Sequence, residues 1–330
     1  ARAPRVSGVL PGTGTGRRTG TDSEGFLDAG RDAMLSAYTV TVLITLGIYA
    51  ILALSLNLIT GYAGQISLGH AAFFGIGAYT AALASTKLGS PFLLNLLLGA
   101  LAAGIVGAVL GIPCLRVRDD FLAITTMGIG FVVEAVFLYT DFFGGAMGIG
   151  NIAAPGLLGV ELGKAVFLAV IVAVILGVVG VDRWLSRAWV GLAWASIRED
   201  ETAAGAAGVD IVRFKVLAFV VGSAIAGVAG GLYAHFLTFI MATNFGFGQS
   251  IVILCMVVLG GIGTIRGPIV GAIVLGALPE ISRPLLEYRT LLYGVLLMLC
   301  VRFQPQGLLG EGSAVCNAAR ALWRAARREA

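Results

Sequence analysis

Long apolar runs constrain this chain more than any other feature of it. The stretches of about Pro91 to Pro113, Phe121 to Tyr139, Ala165 to Val181 and Phe214 to Phe236 are almost free of charge. Runs of roughly 18 apolar residues or more are long enough to cross a bilayer as helices. Inside lipid every backbone N–H and C=O must be satisfied by the chain itself, which leaves helices or a closed barrel. Barrel strands alternate polar and apolar residues, and these runs do not. The fold class is therefore all-α, a polytopic transmembrane helical bundle. Composition agrees, since charged residues make up only 12% of the chain, about half the share usual in a soluble domain. The 48 glycines suit close helix packing in lipid.

Further spans are expected at about Met34–Ile59, Ser250–Ile262, Ile269–Leu278 and Thr290–Val301, the last three short for a full crossing. Gly260, Gly261, Gly263 and Gly267 form a tight turn around Arg266, with Pro268 suited to the first position of the next helix. The stretch Asn57–Tyr79 is apolar enough for the membrane but holds Asn57, Gln65, Ser67 and His70 among its glycines. Irregular backbone at membrane depth is tolerated only where protein or water surrounds it. The stretch is therefore a candidate broken or re-entrant helix near residues 57–79, with those four side chains lining a translocation path. The plainer alternative is a turn into a second span, with His70 satisfied by a carbonyl. Re-entry gives about eight spans and a crossing gives about nine. Glu134, a carboxylate inside a span, is the fifth candidate for the path; the alternative is that it reaches the interface. A glycine-rich loop covers Asp141–Gly163.

A polar segment, Trp184 to Asp210, interrupts the apolar pattern. Ser196 and Glu199 have capping-box spacing, and Asp200 and Glu201 follow where a helix dipole favours negative charge. A small body, Ala203 to Ala207, ends at Gly208, which suits the left-handed residue closing a helix. A narrow capped helix of this kind can be gripped closely by another protein; the alternative is an ordinary loop. From residue 87 onward Arg116, Arg118, Arg183, Arg187, Arg198, Arg213 and Arg266 fall on one side, which places the polar segment and the C-terminus in the cytoplasm. The expected organisation is a disordered tail at 1–32, a permease-like membrane domain at 33–310 containing the cytoplasmic segment 184–210, and a basic cytoplasmic tail at 311–330.

Several chemistries are excluded. There is no G-x-x-x-x-G-K-[ST] phosphate loop, so this chain should not hydrolyse ATP. Two histidines, His70 and His235, cannot supply an H-E-x-x-H metal site, and the four cysteines are scattered. No G-x-S-x-G nucleophile elbow is present. No catalytic residue and no metal ligand is assigned. The net charge of +4 reflects topology-setting arginines, so no nucleic-acid partner is inferred.

The stretch Ser55–Tyr79, SLNLITGYAGQISLGHAAFFGIGAY, closely resembles the first signature of branched-chain amino acid ABC importer permeases of the Liv M type. Ile197–Gly208 is similar to their cytoplasmic coupling loop, and Val258–Pro268 and Pro305–Gly310 match two further family stretches. The resemblance implies a permease subunit of an ABC importer for branched-chain or related amino acids, multi-pass in the bacterial cytoplasmic (inner) membrane. It implies four kinds of surroundings: a second permease subunit, two cytoplasmic ATPase subunits holding ATP and Mg, an extracytoplasmic substrate-binding protein, and membrane lipid. It also implies that this chain is not an enzyme and carries no cofactor. In such a machine Ala203, Ala204 and Gly208 would allow close docking of a coupling helix, and Arg198, Glu199 and Asp200 would make its polar contacts. The chain departs from the family pattern at Phe131 and Glu134. A urea or short-amide importer permease is the alternative within the class. A self-contained secondary transporter would more readily show internal repeats and several intramembrane ionisable groups.

Overall fold

A computed structural model describes residues 21–114, 119–157, 160–281, 289–303 and 307–309. The expected basic tail at 311–330 lies outside the described residues, as does most of the expected N-terminal tail. The first helix, α1 (Thr21–Asn57), nevertheless begins inside the latter. Thr21 and Glu24 have the T-x-x-E spacing of a helix start. Then follow α2 (His70–Leu88), α3 (Phe92–Cys114), α4 (Asp119–Tyr139), α5 (Lys164–Arg187), α6 (Trp189–Glu199), α7 (Glu201–Ala206), α8 (Ile211–Leu237), α9 (Phe247–Gly260), α10 (Arg266–Ile281) and α11 (Arg289–Phe303). Among the described residues six helical segments are long and apolar enough to cross a membrane, and Arg266–Leu278 is a shorter apolar helix. The chain is thus an all-α, multi-pass membrane protein.

The stretch Asn57–Tyr79 does not re-enter. α1 ends in a π-turn at Leu58–Tyr62, residues 63–69 are non-helical, and α2 carries the chain back. Lys164 Nζ donates to Thr41 Oγ1 at 3.3 Å, so the outer part of α1 lies at the start of α5. The far end of α1 meets Arg198, beyond the end of α5. α2 returns to the first face, where Ser85 Oγ accepts from Ala153 N at 3.2 Å. The stretch therefore leads the chain back to the face it came from, although α2 is not among the six helices long and apolar enough to cross a membrane. By the expected arginine asymmetry, the face of Thr41 and Ser85 is the outer one and that of Arg198 the inner one.

Packing explains why α2 forms although it is less apolar than its neighbours. α2, α3 and α8 touch backbone to backbone. A Cβ on Gly77 would sit 2.3 Å from Gly227 Cα, and one on Gly227 would sit 2.4 Å from the Gly99 carbonyl oxygen. Such close approach is how helices associate in lipid, where burying apolar surface brings no advantage. Toward the outer face Tyr79 stacks on Phe137 at 4.1 Å, with Phe74, Phe143 and Phe245 around it. The outer loops are tied by a two-residue hairpin, β1 (Gly156–Leu157) with β2 (Val160–Glu161), and by a bridge between Ile149 and Ile240. His235 is a satisfied core histidine: Nδ1 lies 2.7 Å from the Ala153 carbonyl oxygen and Nε2 lies 3.2 Å from Asn95 Nδ2. Leu93, Leu97, Leu101, Ile105 and Val109 form an exposed apolar stripe on α3, as a lipid-facing surface should.

Candidate functional site

The break between α1 and α2 is where most of the bundle converges. Its backbone departs from helix for local reasons. Gly64 sits at φ +71°, in the left-handed region that favours glycine. At Gly61 a Cβ would lie 2.2 Å from Asn57 Oδ1 and 2.6 Å from Gly263 N, so only glycine fits. Asn57, fully buried, ties the end of α1 to the turn between α9 and α10. Its Nδ2 donates to the Thr264 carbonyl at 3.0 Å, and its Oδ1 accepts from Gly263 N at 2.8 Å. That turn is held in place by the segment 307–309, where Leu308 N and Leu309 N donate to the Leu259 and Gly260 carbonyls at 2.8 and 2.9 Å. Two of the glycine-rich sequence motifs are therefore one structural unit.

On the α2 side, Leu68 N donates to Thr126 Oγ1 of α4, and Ala71 N donates to Ser250 Oγ of α9, both at 3.0 Å. The second bond satisfies one of the free N–H groups that any helix start leaves. Ser55 Oγ and His70 Nε2 lie 2.7 Å apart, joining the two sides of the break. Other polar atoms here are buried without a hydrogen-bond partner among the described residues: Thr60 Oγ1, both amide atoms of Gln65, Ser67 Oγ and His70 Nδ1.

The structure thus brings Asn57, Gln65, Ser67 and His70 together at the break and sets Glu134 apart. Glu134 is half-buried, about two turns further along α4 than Thr126, with its carboxylate against Gly246 at the start of α9. A helix N-terminus favours a negative charge there. Phe131, the other position of departure, packs beside it on Phe247 with ring centroids 5.6 Å apart.

The polar segment 184–210 differs from its expected form. It is two helices, not one. Ser196 does not cap: it lies within α6 and its hydroxyl bonds back to the Ala193 carbonyl at 2.8 Å. The cap is Asp200, four residues later. Its Oδ1 accepts from Thr202 N at 2.8 Å and Ala203 N at 3.0 Å, opening α7. Both Ser196 and Asp200 are good capping residues. The sequence rule chose the first, but α6 is fixed as a helix by Trp194, fully buried with its Nε1 donating to the Phe214 carbonyl at 2.8 Å. Glu201 pairs with the buried Lys215 of α8, which locks α7 to the bundle. Asp210 caps α8 by accepting from Arg213 N at 3.1 Å.

Of the six residues singled out in this segment, Glu199, Asp200, Ala203 and Gly208 are exposed, Gly208 with open space around it at φ +88°. Ala204 is turned into its own chain. Arg198 reaches toward the membrane domain: its Nη1 donates to the Gly61 carbonyl at 2.6 Å, and its stem lies 3.1 Å from the place of a Cβ on Gly64. The segment 184–210 and the break after α1 are therefore in direct contact. Between them lies a groove of about 480 Å³ lined by Tyr62, Ser186, Gly191, Ala195, Arg198 and Glu199. Thr126 and Ser250 have no signal of their own in the sequence, because each acts on a residue far from it along the chain; Gly263 and Thr264 show as part of a glycine-rich turn, but not as partners of Asn57. Asp182 is a further residue missed, buried with both carboxylate oxygens unpartnered among the described residues. Its signal was a carboxylate closing an apolar run.

Residues 38–301 match the family described as branched-chain amino acid transport system permease component. The chain is 36% identical over 302 residues to the high-affinity branched-chain amino acid transport system permease protein LivM of Escherichia coli (strain K12), covering 84% of this chain and 71% of that protein. It is 26% identical over 328 residues to the probable branched-chain amino acid transport permease protein LivM of Methanocaldococcus jannaschii, covering 82% and 92%. The LivH permease protein of Escherichia coli (strain K12) is 27% identical over 300 residues. No solved structure matches the chain.

Proposed function

The chain belongs to the family of branched-chain amino acid transport system permease components, and from that premise we propose that it is the membrane-spanning permease subunit of an ATP-driven importer for branched-chain or related amino acids. It resides in the cytoplasmic membrane. A second permease subunit pairs with it, two ATPase subunits that hold ATP and Mg dock beneath it, and an extracytoplasmic binding protein delivers substrate to it. The chain performs no hydrolysis; its part is to convert movement at its cytoplasmic face into altered access through the bundle.

The observation that carries this reading is the Arg198–Gly61 contact. The exposed face of α7, with Ala203 and Gly208, takes the ATPase. Displacement there passes to α6, which Trp194 holds as one piece with the start of α8. Arg198 transmits it to the π-turn, and Asn57 carries it on to the α9–α10 turn. Gln65, Ser67 and His70 are the groups that move, at the inner end of the path. Glu134 belongs to its outer half, held against α9. The test is co-purification of the tagged chain with its partners, followed by uptake of labelled leucine, isoleucine and valine in proteoliposomes. Uptake requiring both ATP and the binding protein is expected. Uptake of urea or short amides in place of amino acids would move the substrate class. Uptake by this chain alone, without ATPase subunits, would overturn the reading.

A further inference from the structure

The elbow between α5 and α6 carries a second kind of site. Along α5, Val166, Val172 and Leu176 are exposed, and Gly177 and Gly180 have open space where a side chain would stand. The result is an apolar face with a shallow channel in it. The face ends at Trp184 and, two residues past the helix, Trp189, which are 70% and 71% exposed. Indole rings at the end of an apolar stretch sit at the level of lipid headgroups. At that level Arg183, Trp184, Arg187 and Ala188 enclose an open pocket of about 410 Å³. Arg183 and Arg187 are one helical turn apart and share a face. Both are exposed, and neither has an ion-pair or hydrogen-bond partner for its guanidinium among the described residues.

No acidic group nearby forms an ion pair with them among the described residues, although Asp182 and Arg183 both lie within electrostatic reach of Tyr62. Asp182 is buried behind the helix, and Glu199 lines the separate groove on the other side of Ser186. A pair of guanidinium forks, beneath an indole pair and an open apolar channel, matches one ligand. It must carry a phosphate at the headgroup level and an acyl chain above it. We propose that this elbow binds an anionic phospholipid of the cytoplasmic leaflet, phosphate between Arg183 and Arg187 and acyl chain along Gly177 and Gly180. Arginines on this face then act as a lipid anchor for the segment that leads into α6, besides setting topology.

Tryptophan quenching by brominated lipid tests this in the full chain. The chain, carrying Trp323→Phe, is placed in phosphatidylcholine vesicles with a minor fraction of brominated phosphatidylglycerol or of brominated phosphatidylcholine. Trp184→Phe identifies the signal. Quenching by the anionic lipid is expected at about a thirtyfold lower mole fraction than by the neutral one, or about 1 kcal/mol for each arginine. The double variant Arg183→Gln, Arg187→Gln is expected to lose that preference and keep the neutral-lipid quenching. Arg213→Gln, which removes an exposed charge elsewhere on the same side, is expected to keep it. Equal quenching by the two lipids in the unmodified elbow overturns the proposal, as does retention of the preference in the double variant. Loss of quenching on adding inorganic phosphate would assign the pocket to free phosphate instead. Loss of quenching in the complex with the second permease subunit would make the face a protein interface, and either result sinks the lipid site.

Discussion

Replacing Arg198 with alanine separates two roles that the sequence alone cannot distinguish, contact with an ATPase and contact with the membrane domain. The substitution removes the bond to the Gly61 carbonyl, 2.6 Å long, and the stem packed over Gly64. A hydrogen bond from a charged donor is worth about 1.5–3 kcal/mol. Arg198 is exposed, which puts it at the low end, about 1.5 kcal/mol and hence about tenfold in the population of the linked arrangement. In proteoliposomes holding the assembled importer, ATP hydrolysis and uptake are measured together. Hydrolysis is expected to continue while substrate moved per ATP falls about tenfold. Arg198→Lys is expected to fall between the two, since an ammonium reaches a carbonyl but does not lie flat over a glycine. A transport-to-hydrolysis ratio within twofold of the parent in Arg198→Ala would refute the linkage. So would hydrolysis and transport falling in parallel, which would mean that Arg198 serves docking.

Asn57→Ala removes both bonds to the α9–α10 turn and is expected to cost about 2–4 kcal/mol, read as a lower thermal midpoint of the detergent-solubilised protein. Asp200→Ala removes the α7 cap, worth about 1 kcal/mol; hydrogen exchange at Thr202 and Ala203 should quicken about fivefold with the rest of the bundle unchanged. Gly227→Leu would drive a Cβ to 2.4 Å from the Gly99 carbonyl oxygen and is expected to abolish monodisperse protein in size-exclusion chromatography. Gln65→Leu replaces an unpartnered buried amide with an apolar group of similar volume; it should raise the thermal midpoint and slow turnover, and a rise without slowing would make Gln65 a packing residue.

Much of the bundle was legible because hydrophobic length is a direct physical requirement of the bilayer. The expected spans Pro91–Pro113, Phe121–Tyr139 and Phe214–Phe236 lie within a few residues of α3, α4 and α8. α2 was not legible as a full helix, because Thr80, Ser85, Thr86 and Lys87 dilute its apolar character. What holds it is backbone contact with α8 through Gly77 and Gly227, and sequence shows glycines without showing what they face. The cap at Asp200 was missed for a related reason. Local spacing offers Ser196 equally well, and the decision is made by Trp194, whose partner is in α8. The polar residues of the break were legible as types. Their partners were not: Asn57 with Thr264 and Ala71 with Ser250 are separated by 207 and 179 residues.

The two histidines differ in how fully their ring nitrogens are satisfied. Both are buried, where an unsatisfied polar atom costs about 1–3 kcal/mol. His235, at the outer end, has a partner at each ring nitrogen, and those partners stitch α3, α8 and the outer loop into one piece. His70, at the inner end, has a partner at Nε2 only, and the side chains of Thr60, Gln65 and Ser67 lack hydrogen-bond partners among the described residues. Tyr79 Oη, Asp182 and Gln249 Nε2 are single deficits elsewhere, whereas four of the residues between Thr60 and His70 carry one, next to the satisfied Ser55 and Asn57 of α1. Deficits of this kind gather where a structure serves more than one arrangement. The paired residues Asn57 and Arg198 join this region to the elements that would drive it, and the unpaired ones supply groups free to find new partners when it shifts. We therefore propose that the break at 58–69 is the part of this chain that moves in transport.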